Sequence, residues 1–232
     1  RYNDCIGSQT HRFNDVIESA QNGAVNGGFG TNADVYGNMM AYGQDDVLEF
    51  DGAQNNARCF NNRIEQTYCG ISVAPNLAGP SYIFNNVIWN LGDEFGNQSV
   101  AVKNGGGLAY TKGRQFFFNN TMYTTRNCIS GVGYGSTPKR ALFLATTRNN
   151  ILVSGRTPSA ARPEGSPNGS SGGDGLSISD RESNPACDFD YDMLGNTVTA
   201  TGAGVIFASP GQEAHGVFAM PELQDPEHGV FT

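Results

Sequence analysis

Apolar residues fall in short runs along this chain, and Gly and Asn clusters separate the runs. Val47-Leu48-Glu49-Phe50, Tyr82-Ile83-Phe84 and Phe116-Phe117-Phe118 are such runs, with the composition and length of β-strands. No segment carries a sustained helical stripe. Between the runs one phrase recurs: an aromatic or small residue, then Asn, then two or three mostly apolar residues. It reads Phe13-Asn14-Asp15-Val16-Ile17, Gly37-Asn38-Met39-Met40, Asn61-Asn62-Arg63-Ile64, Asn85-Asn86-Val87-Ile88, Asn119-Asn120-Thr121-Met122 and Asn149-Asn150-Ile151-Leu152. Counted from Asn14, the steps between these asparagines are 24, 24, 24, 34 and 30 residues. A period of this size means one supersecondary unit stacked on itself.

A unit of about 24 residues is too short for a helix pair with its loops, but it fits three short strands per turn. The expected fold is therefore all-β: a right-handed parallel β-helix, a solenoid with long loop insertions. At each bend the Asn amide can bond its own backbone and the equivalent Asn one coil above, giving an Asn ladder. Residues 1–153 are expected to form the coils and 154–187 a Gly/Ser/Pro-rich loop or arm. Residues 188–232 would hold the last coil or coils and a C-terminal extension. The whole reads as a single domain, a fragment of a longer chain. The ten-residue excess between Asn86 and Asn120 is expected at 92–97 or 104–107, where loops on one edge would build a binding face.

Composition narrows the partners. The chain has 232 residues, a net charge of −8 and a pI near 4.8. An acidic surface repels phosphate backbones, so nucleic acid is excluded as a partner. No run approaches the roughly 18 apolar residues of a membrane span. Cys5, Cys59, Cys69, Cys128 and Cys187 form no CxxC or Cys/His zinc spacing. Cys59 and Cys69 share one coil and could bridge. Low Lys with abundant Asn, Gly, Ser and Thr points to a secreted or cell-surface location. His11, His215 and His228 make no triad with Ser or Cys.

The stretch richest in chemistry is Gln44-Asp45-Asp46-Val47-Leu48-Glu49-Phe50-Asp51-Gly52. With Leu48 and Phe50 turned inward, alternation puts Glu49 and Asp51 on the outer surface. Crowded carboxylates raise one another's pKa, suiting acid/base work or a cation. Asp45, Asp46 and Glu49 are thus the catalytic candidates for a hydrolase and the metal candidates for calcium, although no cofactor is required. Capping of turns by the same aspartates is the structural alternative. A lyase would instead need cationic groups, and Lys112 and Arg114 are its catalytic candidates. Asp51, Arg58, Arg63, Lys103 and Tyr110 are candidate substrate-binding residues, and Trp89 could stack on a sugar ring.

Asn32-Ala33-Asp34, Gln44-Asp45-Asp46-Val47-Leu48 and Gly70-Ile71-Ser72-Val73 resemble, in order, the motifs of polygalacturonase-type β-helix glycosidases. In that family three aspartates perform inverting hydrolysis. Where the family has a His, this chain reads Tyr68-Cys69-Gly70, and Lys112-Gly113-Arg114 stands in for its Arg-x-Lys clamp. More broadly, residues 30 to 155 are similar to secreted right-handed β-helix repeat proteins, many of them polysaccharide lyases or hydrolases. The resemblance implies a polysaccharide or glycan partner. Ladders and open coil ends equally suit a non-enzymatic fibre, adhesin or spike subunit built by self-association.

Overall fold

The computed structural model describes residues 1–105, 112–132, 144–155, 175–180, 186–197, 204–206 and 211–231. Among them are nineteen strands, one 3-10 turn at Pro226–His228 and no α-helix. Among the described residues no helix is long and apolar enough to cross a membrane.

The strands form two parallel sheets. Six of them, Asp34–Tyr36, Ala57–Phe60, Ser81–Phe84, Gln115–Phe118, Ala145–Arg148 and Asp188–Phe189, stack in chain order. The other thirteen make one curled sheet with two arms. Met39–Glu49 and Arg63–Val73 run round the bend and belong to both arms. In later repeats the bend divides the strand in two. Val87–Trp89, Thr121–Tyr123, Ile151–Ser154 and Met193–Asn196 continue the first arm; Val100–Gly105, Asn127–Val132, Leu176–Ser179 and Gly204–Ile206 continue the second. Each repeat thus visits the six-stranded sheet, the first arm and the second arm, and the next repeat stacks on it. Leu176–Ser179 lies inside the segment expected to be a loop or arm, yet pairs with Asn127–Val132. Residues 156–174 of that segment lie outside the described residues.

One apolar column from each layer makes the core. Leu48, Ile71, Val102, Ile129 and Ile178 are in register on the second arm; Met40, Ile64, Ile88, Met122, Leu152 and Leu194 are in register on the first. Cys59, Ile83 and Phe117 face them from the six-stranded sheet, and all of these are fully buried. Each such aliphatic side chain contributes about 1.5–3 kcal/mol by burial. On the outer face of the six-stranded sheet the Tyr36, Phe60 and Phe84 rings stack at 4.7 and 4.8 Å.

The bend between the six-stranded sheet and the first arm is an Asn-Asn pair with two distinct tasks. Asn61, Asn85, Asn119 and Asn149 adopt φ of 54, 55, 54 and 57°, a left-handed conformation that Asn tolerates better than most residues. The second Asn turns inward. Both N–H and Nδ2 of Asn38 donate to Oδ1 of Asn62, which does the same to Asn86, then Asn120, then Asn150. The remaining Nδ2 hydrogen of Asn86 reaches the carbonyl of Cys59 at 3.0 Å. The ladder starts at Asn3, which donates to Asn38 Oδ1, and ends on Asp192, whose Oδ1 accepts from Asn150. Asn14 is not a rung. Its 24-residue step to Asn38 is a coincidence of spacing, because Tyr2-Asn3 occupies the ladder position. The expected bond from the rung to its own bend is also replaced, since the preceding residue makes the bend.

Register places seven of the ten extra residues between the first and second arms. Ile64 to Ile71 spans seven positions, while the registered Ile88 to Val102 spans fourteen. The inserted loop carries a tight turn in which Asp93 Oδ1 accepts from the N–H groups of Phe95 and Asn97. All five cysteines are free thiols, so Cys59 and Cys69 do not bridge; Cys59 lies in the six-stranded sheet and Cys69 on the second arm.

Candidate site: an acidic cluster at the start of the second arm

Asp15-Val16-Ile17-Glu18 and Asp46-Val47-Leu48-Glu49 repeat the same pattern, and the fold lays one on the other. Ile17 pairs with Leu48 and Glu18 with Glu49. The apolar partners face the core, so the two glutamates share one outward column. That column runs on through Ser72, Lys103, Ser130 and Ser179. The serines are buried, so the column is open to solvent at its Glu18 and Glu49 end.

Carboxylate oxygens of Asp15, Glu18 and Glu49 all lie within 4.8 Å of one another. Asp15 Oδ1 accepts the backbone N–H of Asp46 at 3.1 Å, and Asn22 Nδ2 donates to Glu49 Oε2. Asp46 itself is fully buried and ion-paired with Lys103, which reaches across two repeats to it. Asp51 is 4% exposed; it accepts from Ser72 Oγ at 2.7 and 2.9 Å and from the Ala74 N–H at 2.7 Å. The expectation that Asp51 lies on the outer surface is therefore corrected: its carboxylate is buried, held by Ser72 of the outward column and by the Ala74 N–H.

Crowding and burial shift the cluster's proton affinities. Burial, followed by the charges of Asp51, Asp15 and Asp46, pushes Glu49 up to about 8, against the opposing pull of Lys103. Burial and the charges of Asp46 and Asp45 lift Asp15 to about 6. Burial lifts Asp51 to about 7, with Lys103 opposing and Asp46 adding. Burial alone would lower Lys103, yet Asp46 holds it well above the usual lysine range. Near neutrality, then, Glu49 keeps its proton beside an ionised Asp15, which is the arrangement of a general acid with a charged partner. The three oxygens also suit a hard divalent cation, which would take the place of that proton.

The other expected site residues do not converge here. Asp45 is half-buried beside the cluster, and its carbonyl accepts from Thr67 Oγ1. Arg58 lies on the six-stranded sheet, paired with Asp34 at 2.6 Å, so the Asp34 and Asp46 of the glycosidase-like motifs occupy different sheets. Arg63 is on the first arm, donating to the Gly229 carbonyl. Lys112 is exposed at the bend entering the six-stranded sheet, and Arg114 donates to Thr146 Oγ1 and the Ala186 carbonyl. Tyr110 lies outside the described residues. Asp15 and Glu18 were not singled out from the sequence, although the repeated Asp-Val-Ile-Glu and Asp-Val-Leu-Glu would have found them.

The fold and site together define a parallel-stranded repeat protein with a clustered-carboxylate site. No family model matches the chain, and no curated protein or solved structure matches it.

Proposed function

We propose that the chain is a secreted, right-handed parallel β-helix protein that binds and hydrolyses a polysaccharide at this acidic cluster. The observation that carries the reading is the convergence of Asp15, Glu18 and Glu49 within 4.8 Å, with Glu49 protonated up to about pH 8. Glu49 would protonate the glycosidic oxygen and Asp15 would stabilise or attack the developing cation. An inverting pair needs about 6.5–9.5 Å for an intervening water; this closer set favours retention of configuration. The lyase reading has less support, because Lys112 and Arg114 stand at the bend before the six-stranded sheet rather than on the cluster. Calcium held by the same oxygens is a second reading, supported by their mutual distances. A fibre or adhesin role draws support from exposed apolar side chains at both ends of the stack: Tyr2 and Ile6 at one, Val217 and Phe218 at the other.

The test is a reducing-end assay on a polysaccharide panel, with absorbance at 235 nm followed in parallel. Glu49→Gln is expected to cut the release of reducing ends by at least about 10²-fold, the scale of a lost general acid, with far-UV circular dichroism unchanged. Absorbance at 235 nm without dependence on Glu49 would replace hydrolysis with elimination. Loss on chelation, with restoration by calcium, would move the three carboxylates from catalysis to cation binding. No product at all, with ordered filaments by negative-stain microscopy, would favour the structural role.

A further inference from the structure

Trp89, the chain's single tryptophan, is an outward residue on the first arm, in register with Tyr123 on the next repeat. It is nonetheless only 8% exposed. The C-terminal segment, 225–231, folds across it. The Phe231 ring lies edge-on at 6.1 Å, and Gly229 packs so closely on indole Cε2 and Cζ2 that a Cβ there would clash. Gly229 has φ of 77°, the left-handed value this approach requires. Arg63 holds the segment from below through the Gly229 carbonyl at 2.9 Å, its guanidinium 5.5 Å from the indole centroid. Tyr123 Oη donates to Glu227 Oε1 at 2.6 Å; burial, followed by this bond, lifts the phenol to about 12.

Between this strap and the sheet lies a cavity of about 70 Å³, lined among others by Trp89, Gln98, Tyr123, Thr124, Thr125 and Glu227. Two of its polar groups are orphaned. The indole Nε1 of Trp89 has no acceptor, and Gln98 Oε1 has no donor. Both atoms are sealed from the cavity as it stands; an unmet buried donor or acceptor costs about 1–3 kcal/mol, so a sugar hydroxyl that reaches either one with the strap lifted is favoured. The cavity has room for roughly five waters, the footprint of one sugar ring and not of a chain. Aromatic faces beside amides and hydroxyls match the chemistry of a polyol ring. Its charge is selective too: Arg63 is committed to Gly229 and the indole, while the Glu227 carboxylate lies on the wall and repels an anionic sugar.

We propose that this cavity is a second glycan subsite, one that takes a single neutral sugar residue, with the 225–231 strap as its movable wall. The proposal rests on the glycan reading above, and it narrows that reading to neutral polymers. Gly229 and Phe231 of the strap cover the indole, so the sugar enters as the strap lifts. Trp89 is then its own reporter. Titrating the full chain with cellohexaose, xylohexaose, mannohexaose and hexagalacturonate, and following tryptophan emission, is expected to show a saturable shift with a neutral hexaose and none with hexagalacturonate. Gln98→Ala should weaken that binding about tenfold, with the far-UV spectrum unchanged. Preference for hexagalacturonate, or emission unmoved by every neutral hexaose, overturns the subsite. If emission is silent while cleavage dependent on Glu49 persists, the subsite alone is wrong; if nothing is bound or cleaved, the glycan reading falls with it.

Discussion

Asn85 and Asn86 are neighbours with the same side chain and different physical tasks. Asn85 supplies a left-handed bend at an exposed turn, so Asn85→Ala costs the strain of that conformation, about 1–2 kcal/mol. Asn86 is 1% exposed; its Oδ1 takes two bonds from Asn62, and its Nδ2 serves Asn120 and the Cys59 carbonyl. Asn86→Ala strips acceptor and donors from buried partners at once, so a loss of about 3–5 kcal/mol is expected. Urea titrations of the two variants should separate them clearly; equal losses would mean the rungs add nothing beyond the bend. The recurring Asn was visible in the sequence, but its division of labour was not. Asn3 and Asn14 follow the same kind of aromatic residue, Tyr2 and Phe13, and only strand pairing tells a rung from a residue one layer away.

Strand register decides which charges meet. By sequence Lys103 is a candidate substrate-binding residue. In the fold it stands in the column of Glu18 and Glu49, and its ammonium pairs with Oδ2 of a fully buried Asp46. Removing the cation while leaving the carboxylate is expensive, typically about 3–5 kcal/mol. Lys103→Met should therefore lower thermal stability sharply, and the double variant Lys103→Met with Asp46→Leu should recover most of the loss. A surface ligand would show neither effect. Register also explains why Arg58, Arg63 and Arg114 do not act together: they belong to the six-stranded sheet, the first arm and the bend between layers. Along the sequence Arg58 and Arg63 are five residues apart, yet the Asn61-Asn62 bend sends them to different faces.

Over the whole molecule the stack must end somewhere, and its ladder ends on acid. Asp192 takes the position of an Asn, and its N–H donates to Glu213 Oε2 at 3.3 Å. Burial, followed by the charge of Asp192, lifts Glu213 to about 8. A carboxyl whose folded pKa is raised stabilises the fold fully below its unfolded pKa, near 4.3. That contribution is lost as pH rises through about 8. Asp51, lifted to about 7, acts in the same direction. Melting temperature should thus fall between pH 5 and pH 8.5, at roughly 2–4 °C per kcal/mol for a chain of this size. Glu213→Gln should flatten that fall. A melting temperature that rises over the same range would contradict the protonated ladder end.

The sequence by itself determined the repeat, the all-β character, the parallel stacking of like residues and the inward turn of Leu48 and Phe50. These follow from local alternation and from spacing, which a linear chain records. It also marked the acidic stretch 45–51 and the repeat that carries the extra residues. Only the tertiary structure decided that Asp15 and Glu18 close on Glu49, that Asp46 is consumed by Lys103, that Asp51 is buried, and that the C-terminal segment roofs Trp89. Each of these contacts joins residues about 20 to 170 positions apart, and their meeting depends on strand register and loop path, set by the packing of the whole stack.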